Sequence, residues 1–135
     1  MSKQCPCCSG KSYQDCCQPI ISGAKLAETA EQLMRSRYSA YTIYAISYLL
    51  DTTHPSTRKF YKAKEIERWA KSSDWQRLVV TKCLDGKVVD RFGEVEFMAF
   101  YLDSSGAMKV HHEHSNFEKI KGQWFYVDGE IVSSI

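Results

Sequence analysis

From residue 26 onward the apolar positions recur with two different periods. Leu26, Ala30, Leu33, Met34, Tyr38 and Tyr41 fall at helical intervals. Thr29 followed three residues later by Gln32 has capping-box spacing and marks the start of this first helix. A second, short helix is predicted from Tyr44 to Asp51, presenting Ala45, Tyr48 and Leu49. His54-Pro55 ends it, because the residue before a proline is driven toward extended geometry. Ser56 or Thr57 can cap a third helix reaching Lys71, with Phe60, Ala63, Ile66 and Trp69 on one side. After Asp74 the period changes. Trp75 to Leu84 contains a β-branched run, and Asp85-Gly86 is a hairpin signal. Glu94 to Leu102 alternates, with Val95, Phe97, Ala99 and Tyr101 on one face. Further strands are predicted over Met108–Glu118 and Gln123–Val127, separated by Lys121-Gly122. Three helices followed by a four-stranded antiparallel meander make an α+β domain, with helices packed on a curved sheet. A pocket is expected where the two layers diverge.

Residues 1–19 differ from the rest. They are rich in Cys, Ser, Gly and Pro, lack apolar periodicity, and are too few to bury a core. The chain therefore divides into a short N-terminal segment, 1–19, and a main unit, 20–135. Five of the six cysteines crowd into the short segment: Cys5, Cys7, Cys8, Cys16 and Cys17. The N-terminus, Met1-Ser2-Lys3-Gln4-Cys5-Pro6, has no apolar run behind its charge, so a cytoplasmic location is expected. In a reducing compartment such crowding points to metal rather than to disulfides. A redox-active cluster is the other reading of the same thiols. Four thiolates around one Zn²⁺ would make a closed, structural site with no open position for catalysis. They would also bring the formal charge of +2 to about zero. A near-neutral body lacks the basic bias of a nucleic-acid binder. No stretch approaches the ~18–20 apolar residues of a membrane span. Hydrophobic residues at 44% and aromatics at 13% are enough for a packed core.

The run Cys5-Pro6-Cys7-Cys8-Ser9-Gly10-Lys11-Ser12-Tyr13-Gln14-Asp15-Cys16-Cys17 resembles the SEC-C zinc motif. The resemblance implies one structural Zn²⁺ held by Cys5, Cys7, Cys16 and Cys17, with Tyr13 packing the small loop. The motif has glycine where this chain has Cys8, which implies a backbone angle unfavourable to a side chain and a fifth thiol able to compete for the ion. In relatives the knuckle serves protein–protein contact, so a protein partner is expected at a surface containing Lys3, Lys11 and Tyr13.

The main unit is also similar to a known family. Leu33-Met34-Arg35-Ser36-Arg37-Tyr38-Ser39-Ala40-Tyr41, Tyr48-Leu49-Leu50 with Thr53-His54-Pro55, His112-Glu113 with Ser115 and Phe117, and Gly122-Gln123-Trp124-Phe125-Tyr126-Val127-Asp128-Gly129 resemble the YchJ family. That family joins a SEC-C motif to a nuclear-transport-factor-2-like cone domain. The resemblance implies helices covering a strongly bent antiparallel sheet, a fold that hosts enzymes, receptors and scaffolds alike.

Candidate pocket residues are Arg37, Tyr38, His54, Trp75, His112, Glu113, Trp124 and Tyr126. His112 and Glu113 are adjacent in a strand and must point to opposite faces, whereas His111 shares a face with Glu113, and His112 with His114. Arg35 and Arg37 lie roughly 200° apart around a helix and cannot form one clamp. One of them could reach Glu113 or Asp128. Cys83, in an apolar strand, reads as an inert core thiol. No nucleophile elbow, phosphate loop, H-E-x-x-H or Rossmann fingerprint is present. The expectation is a non-enzymatic zinc protein whose knuckle docks a partner and whose cone is a scaffold or small-ligand receptor. The alternatives are a small enzyme working around His112 and Glu113, or RNA or ribosome contact through Lys3, Lys11 and Lys25.

Overall fold

The computed structural model describes residues 3–132. A 3₁₀ turn over Tyr13–Asp15 leads into α1, Cys17–Ile21. Then come α2, Ala30–Thr42, α3, Ile46–Asp51, a 3₁₀ turn over Arg58–Phe60, and α4, Ala63–Ser72. Four strands follow: β1, Asp74–Asp85; β2, Phe92–Leu102; β3, Met108–Ile120; and β4, Gln123–Ile131. They form one antiparallel sheet in the order β1-β2-β3-β4. The α+β reading and the order of helices and strands therefore hold. Helix α1 runs across residue 19, and Cys5, Cys7 and Cys17 pack in the same core as Leu33 and Met34.

Helix α2 organises the domain. Thr29 caps it, its Oγ1 accepting from the Gln32 amide at 3.1 Å. The reciprocal bond of the box is displaced by one residue: Gln32 Oε1 accepts from the Glu28 amide at 2.8 Å. The Ala30 amide, otherwise an orphan of the first turn, donates to the Gly86 carbonyl at 2.9 Å. An amphipathic surface helix buries one stripe. In α2 Leu33, Met34, Ser36, Arg37, Tyr38, Ser39 and Ala40 are all buried, because α1, α3 and the sheet enclose it.

The sheet bends where its register slips, between Trp75 and Arg77, Val80 and Lys82, and Asn116 and Phe117. Each slip is a bulge that kinks its strand. Leu78, Val95, Phe97, Ala99, Phe117 and Trp124 fill the helix-facing side.

Three local expectations change. The third helix does not begin at Ser56 or Thr57. Thr57 Oγ1 donates to the Val127 carbonyl at 2.7 Å instead of capping. The chain then makes its 3₁₀ turn, extends through Tyr61 and Lys62, and leaves Phe60 70% exposed. Asp85 and Gly86 do adopt positive φ, but the strands close over a longer loop, with Asp85 opposite Gly93. Leu26 precedes α2 and is exposed. Lys121-Gly122, by contrast, is a two-residue turn with both φ positive and Ile120 opposite Gln123.

The base of the β1–β2 hairpin presses on the head of α2. A side chain at Gly93 would come within 2.4 Å of the Gly86 Cα and 3.1 Å of the Ala30 Cβ. Gly93→Val should therefore lower stability by about 1–3 kcal/mol. The expected readout is a lower urea midpoint with an unchanged slope, and an unchanged midpoint would contradict this packing.

Candidate functional site: a thiol cluster and a cone pocket

The N-terminal knuckle is a miniature hairpin. Gln4 pairs with Ser12, the Cys5 amide donates to the Lys11 carbonyl at 2.9 Å, and the Tyr13 amide donates to the Lys3 carbonyl at 2.9 Å. Cys8 and Gly10 take positive φ, 65° and 89°, which turns Cys5 and Cys7 inward. The 3₁₀ turn and α1 bring back Cys16 and Cys17. The four sulfurs of Cys5, Cys7, Cys16 and Cys17 all lie within 4.8 Å of one another. Cys7 and Cys16 are 3.6 Å apart, and Cys16 and Cys17 are 3.9 Å apart. Thiolates about 2.3 Å from a tetrahedral ion have S···S edges of about 3.8 Å. The spacing fits a metal ion and is far too long for a disulfide, at about 2.05 Å. Cys8 lies outside the cluster, exposed, its thiol directed to the Pro6 carbonyl.

The electrostatics suit a cation. Hydrogen bonding with Cys17, then with Cys7, holds Cys5 far below the thiol range. Cys17 is pushed far up by its bonds to Cys5 and Cys7 and by burial. Cys17 pulls Cys7 down, but Cys5 and burial push harder and leave it up at about 11. Converging thiols thus resist losing all their protons, which is the charge a divalent ion could offset.

The knuckle's inner side is joined to α2. Cys5 Sγ lies 3.5 Å from Ser39 Oγ, and Arg35 Nη1 donates to the Cys7 carbonyl at 2.7 Å while its Nε pairs with Glu31 at 2.9 Å. Arg35 therefore reaches neither Glu113 nor Asp128. The outer side carries Lys3 and Lys11, exposed, with Tyr13 half-buried against the core.

The second feature is a cavity of about 270 Å³ between α2, α4 and the concave side of the sheet. Of the sequence candidates, Arg37, Tyr38, Trp75, Glu113 and Tyr126 line it. His54, His112 and Trp124 do not. His54 Nε2 bonds Glu118 at 2.9 Å, beside Phe125. His112 is on the opposite side of the sheet, bonded to Glu96 at 3.1 Å. Trp124 is sealed in the core, 1% exposed, its Nε1 donating to the Glu28 carbonyl. The sheet therefore separates His112 from Glu113, as strand alternation demands. His111, Tyr41, Tyr61, Trp69 and Ser115 line the cavity and were not among the candidates. Alternation carries the signal for two of them, since His111, Glu113, Ser115 and Phe117 are two apart.

Glu113 sits at the centre of a network, its side chain 12% exposed. It accepts from His111 Nε2 at 2.7 Å, Ser115 Oγ at 2.6 Å and Tyr126 Oη at 2.8 Å. Burial raises its pKa, but the three donors outweigh burial and hold the carboxyl below its ordinary range. Gly129 makes room for it: a Cβ there would fall 2.1 Å from Glu113 Oε2. Arg37 is 8% exposed. Its Nη1 donates to the Leu49 carbonyl at 2.8 Å and to Thr52 Oγ1 at 2.7 Å, and its guanidinium lies over the Tyr126 ring at 4.5 Å. Arg37 thus meets a carbonyl, a hydroxyl and a ring, not the expected carboxylate.

Cys83 is exposed rather than buried in the core. The bulge after Val80 aligns it with Val95, and its thiol lies 3.4 Å from Glu31 in the first turn of α2. Among the described residues no helix is long and apolar enough to cross a membrane.

The fold and the thiol cluster define a nuclear-transport-factor-2-like cone carrying a SEC-C knuckle. Family models agree: the SEC-C motif matches residues 1–19, and the model described as the YchJ middle NTF2-like domain matches residues 29–129. The chain belongs to the YchJ, or UPF0225, family. A UPF0225 protein of Geobacter sulfurreducens is 45% identical over 129 residues, covering 96% of this chain and 80% of its own. One from Corynebacterium glutamicum is 38% identical, covering 97% and 99% respectively. The solution structure of a SEC-C motif containing protein from Rhodopseudomonas palustris superposes with a TM-score of 0.88 at 36% identity, covering 98% of this chain and all of that one. The crystal structure of another, from Psychrobacter arcticus, gives a TM-score of 0.80 at 36% identity, over 97% and 84%.

Two outcomes follow for the knuckle. Cys8→Gly should raise stability by about 1 kcal/mol, because it relieves a left-handed backbone, and should leave the bound metal unchanged. Cys16→Ser should lose the metal and lower the thermal midpoint. A Cys8→Gly protein with reduced metal content would instead make Cys8 a ligand.

Proposed function

We propose that this chain is a zinc-stapled receptor for a compact, planar ligand bearing an anionic or carbonyl oxygen. The observation that carries the reading is the setting of Arg37. Its Nη1 is fully engaged, and its Nε and Nη2 have no partner among the described residues. No buried polar side-chain atom among those residues lacks a partner, so these nitrogens keep accessible surface, and Arg37 lines the cavity. A guanidinium fixed at one end and stacked on Tyr126 is pre-organised to bind an oxygen anion. The aromatic wall of Tyr41, Tyr61, Trp69 and Trp75 supplies flat apolar surface for a ring. At about 270 Å³ the cavity is near the small end for ligand sites, roughly 300–1,000 Å³, so the ligand is compact.

Zinc is the ion we assign to the cluster, because four thiolates in a closed tetrahedral array favour it. Its role in the reading is to hold residues 3–21 against α2, the helix that contributes Met34, Arg37, Tyr38 and Tyr41 to the pocket wall. The knuckle's exposed rim, with Lys3 and Lys11, is the surface we propose for a protein partner.

The test is a titration of the zinc-loaded protein with 4-nitrophenol, followed by amide NMR shifts and tryptophan fluorescence. Binding should saturate, with shifts confined to α2, β2, β3 and β4 around the cavity. Arg37→Met should weaken it about tenfold or more, and stripping the metal should weaken it as well. Shifts on the outer side of the sheet, or equal affinity for Arg37→Met, would defeat the receptor reading.

A further inference from the structure

We infer that His111 is the base of a proton-transfer site in the cone pocket: Glu113 orients it, and its Nδ1 removes a proton from a compact planar carbon acid. This rests on the receptor reading and assigns that pocket a reaction.

The argument begins with the imidazole. His111 Nε2 lies 2.7 Å from Glu113 Oε1. A carboxylate only accepts, so the network assigns the ring proton to Nε2 and leaves a lone pair on Nδ1. No described residue bonds Nδ1. No buried polar side-chain atom among those residues lacks a partner, so Nδ1 is reachable, and His111 lines the cavity. The ring is held by edge contact with Trp69 at 4.9 Å and by Phe97 at 6.1 Å. A base positioned this way needs no reorganisation to receive a proton.

Glu113 is the positioning residue. Three donors fix its carboxylate, two of them, Ser115 and Tyr126, on the oxygen that His111 does not use. Gly129 leaves the space that this carboxylate occupies, which a side chain there would take. A histidine serving packing alone needs none of this apparatus. When Nδ1 takes a proton, the imidazolium forms against a carboxylate already ionised and held in place.

The opposite wall receives the charge that develops on the ligand. Arg37 offers Nε and Nη2, and the Tyr41 hydroxyl has no partner among the described residues while its ring lines the same cavity. The titratable groups that line the cavity with His111 are Glu113 on its own strand, Tyr126 on β4, Arg37, Tyr38 and Tyr41 on α2, Tyr61 and Lys62 before α4, and Glu65 in its first turn. The reaction class is heterolytic proton abstraction. The C–H bond breaks, its electron pair moves toward the oxygen facing Arg37, and the proton passes from Nδ1 to water or back to another carbon. No oxidant or reductant enters.

The probe is 5-nitrobenzisoxazole. Loss of its ring C–H proton forms a nitrile, breaks the N–O bond and releases a coloured phenolate, with all atoms conserved. The zinc-loaded full chain should turn it over with saturation, about 100-fold or more above free imidazole at equal concentration. His111→Gln should lose that acceleration. Glu113→Gln should lower kcat with KM little changed, because the imidazole loses the carboxylate that orients it. His112→Gln, on the other side of the sheet, should leave the rate unchanged. Independently of any variant, long-range nitrogen–proton NMR of the wild-type protein should show neutral His111 protonated on Nε2. An Nδ1-protonated ring, or equal rates for wild type and His111→Gln, overturns the inference. Binding of 4-nitrophenol without turnover of the probe overturns it while the receptor reading survives. Absence of 4-nitrophenol binding defeats the receptor reading, and the tautomer then still decides the dyad.

Discussion

Four sulfurs brought within one ion's reach form part of the wall of the hydrophobic core. Cys5, Cys7 and Cys17 are buried beside Leu33, Met34 and Tyr38, so the cluster cannot be loosened without opening the side of α2. A site of four thiolates and a divalent ion keeps two negative charges, and such charge is tolerated inside a protein only with polar compensation. That compensation is built around it. Arg35 approaches through the Cys7 carbonyl, Ser39 faces Cys5, and Ser9 Oγ lies 3.1 Å from Cys16. Arg35 is itself anchored by Glu31, so the cation beside the cluster has a fixed position. The segment is too short to fold alone, and it folds as part of α2's surroundings.

The pocket raises a related problem. Replacing buried charges by well-packed apolar groups is often neutral or stabilising, so a buried Arg37 and a buried Glu113 are not explained by stability. They are also not each other's direct partners. Tyr126 lies between them, its ring under Arg37 and its hydroxyl on Glu113. That separation leaves each charge facing an open cavity rather than cancelling its neighbour. The β4 strand holds this arrangement because its edge is tied to the loop after α3: the Tyr126 amide donates to the Thr52 carbonyl, and the His54 amide to the Tyr126 carbonyl.

Much of this was legible in residues alone. Thr29 with Gln32 marked the start of α2, Lys121-Gly122 the last hairpin, and alternation the strands. The place of glycine in the SEC-C pattern pointed to a left-handed backbone at Cys8, and the observed φ is 65°. What alternation could not supply was which of two faces lay inward. His112 and Glu113 were known to diverge, but the inward face is set by pairing across the sheet, with Glu113 opposite Phe97 and His111 opposite Ala99. Cys83 misled for a similar reason, since the bulge between Val80 and Lys82 that sets its register is a matter of pairing with β2. The third helix failed because Thr57 found a tertiary acceptor on Val127, and tertiary bonds override local capping.

Arg35 and Arg37 show how the two features become one system. Two positions apart on α2, they point to opposite sides of the helix, one to the knuckle and one to the cavity. Neither could serve the other's site, as their spacing requires. The helix between them is enclosed by α1, α3 and the sheet, so both guanidiniums are carried on one buried element. Anything that binds only the folded knuckle stabilises the enclosed α2, and by linkage stabilises the geometry of the pocket wall. An ion held by the four thiols would favour that geometry without contacting the pocket.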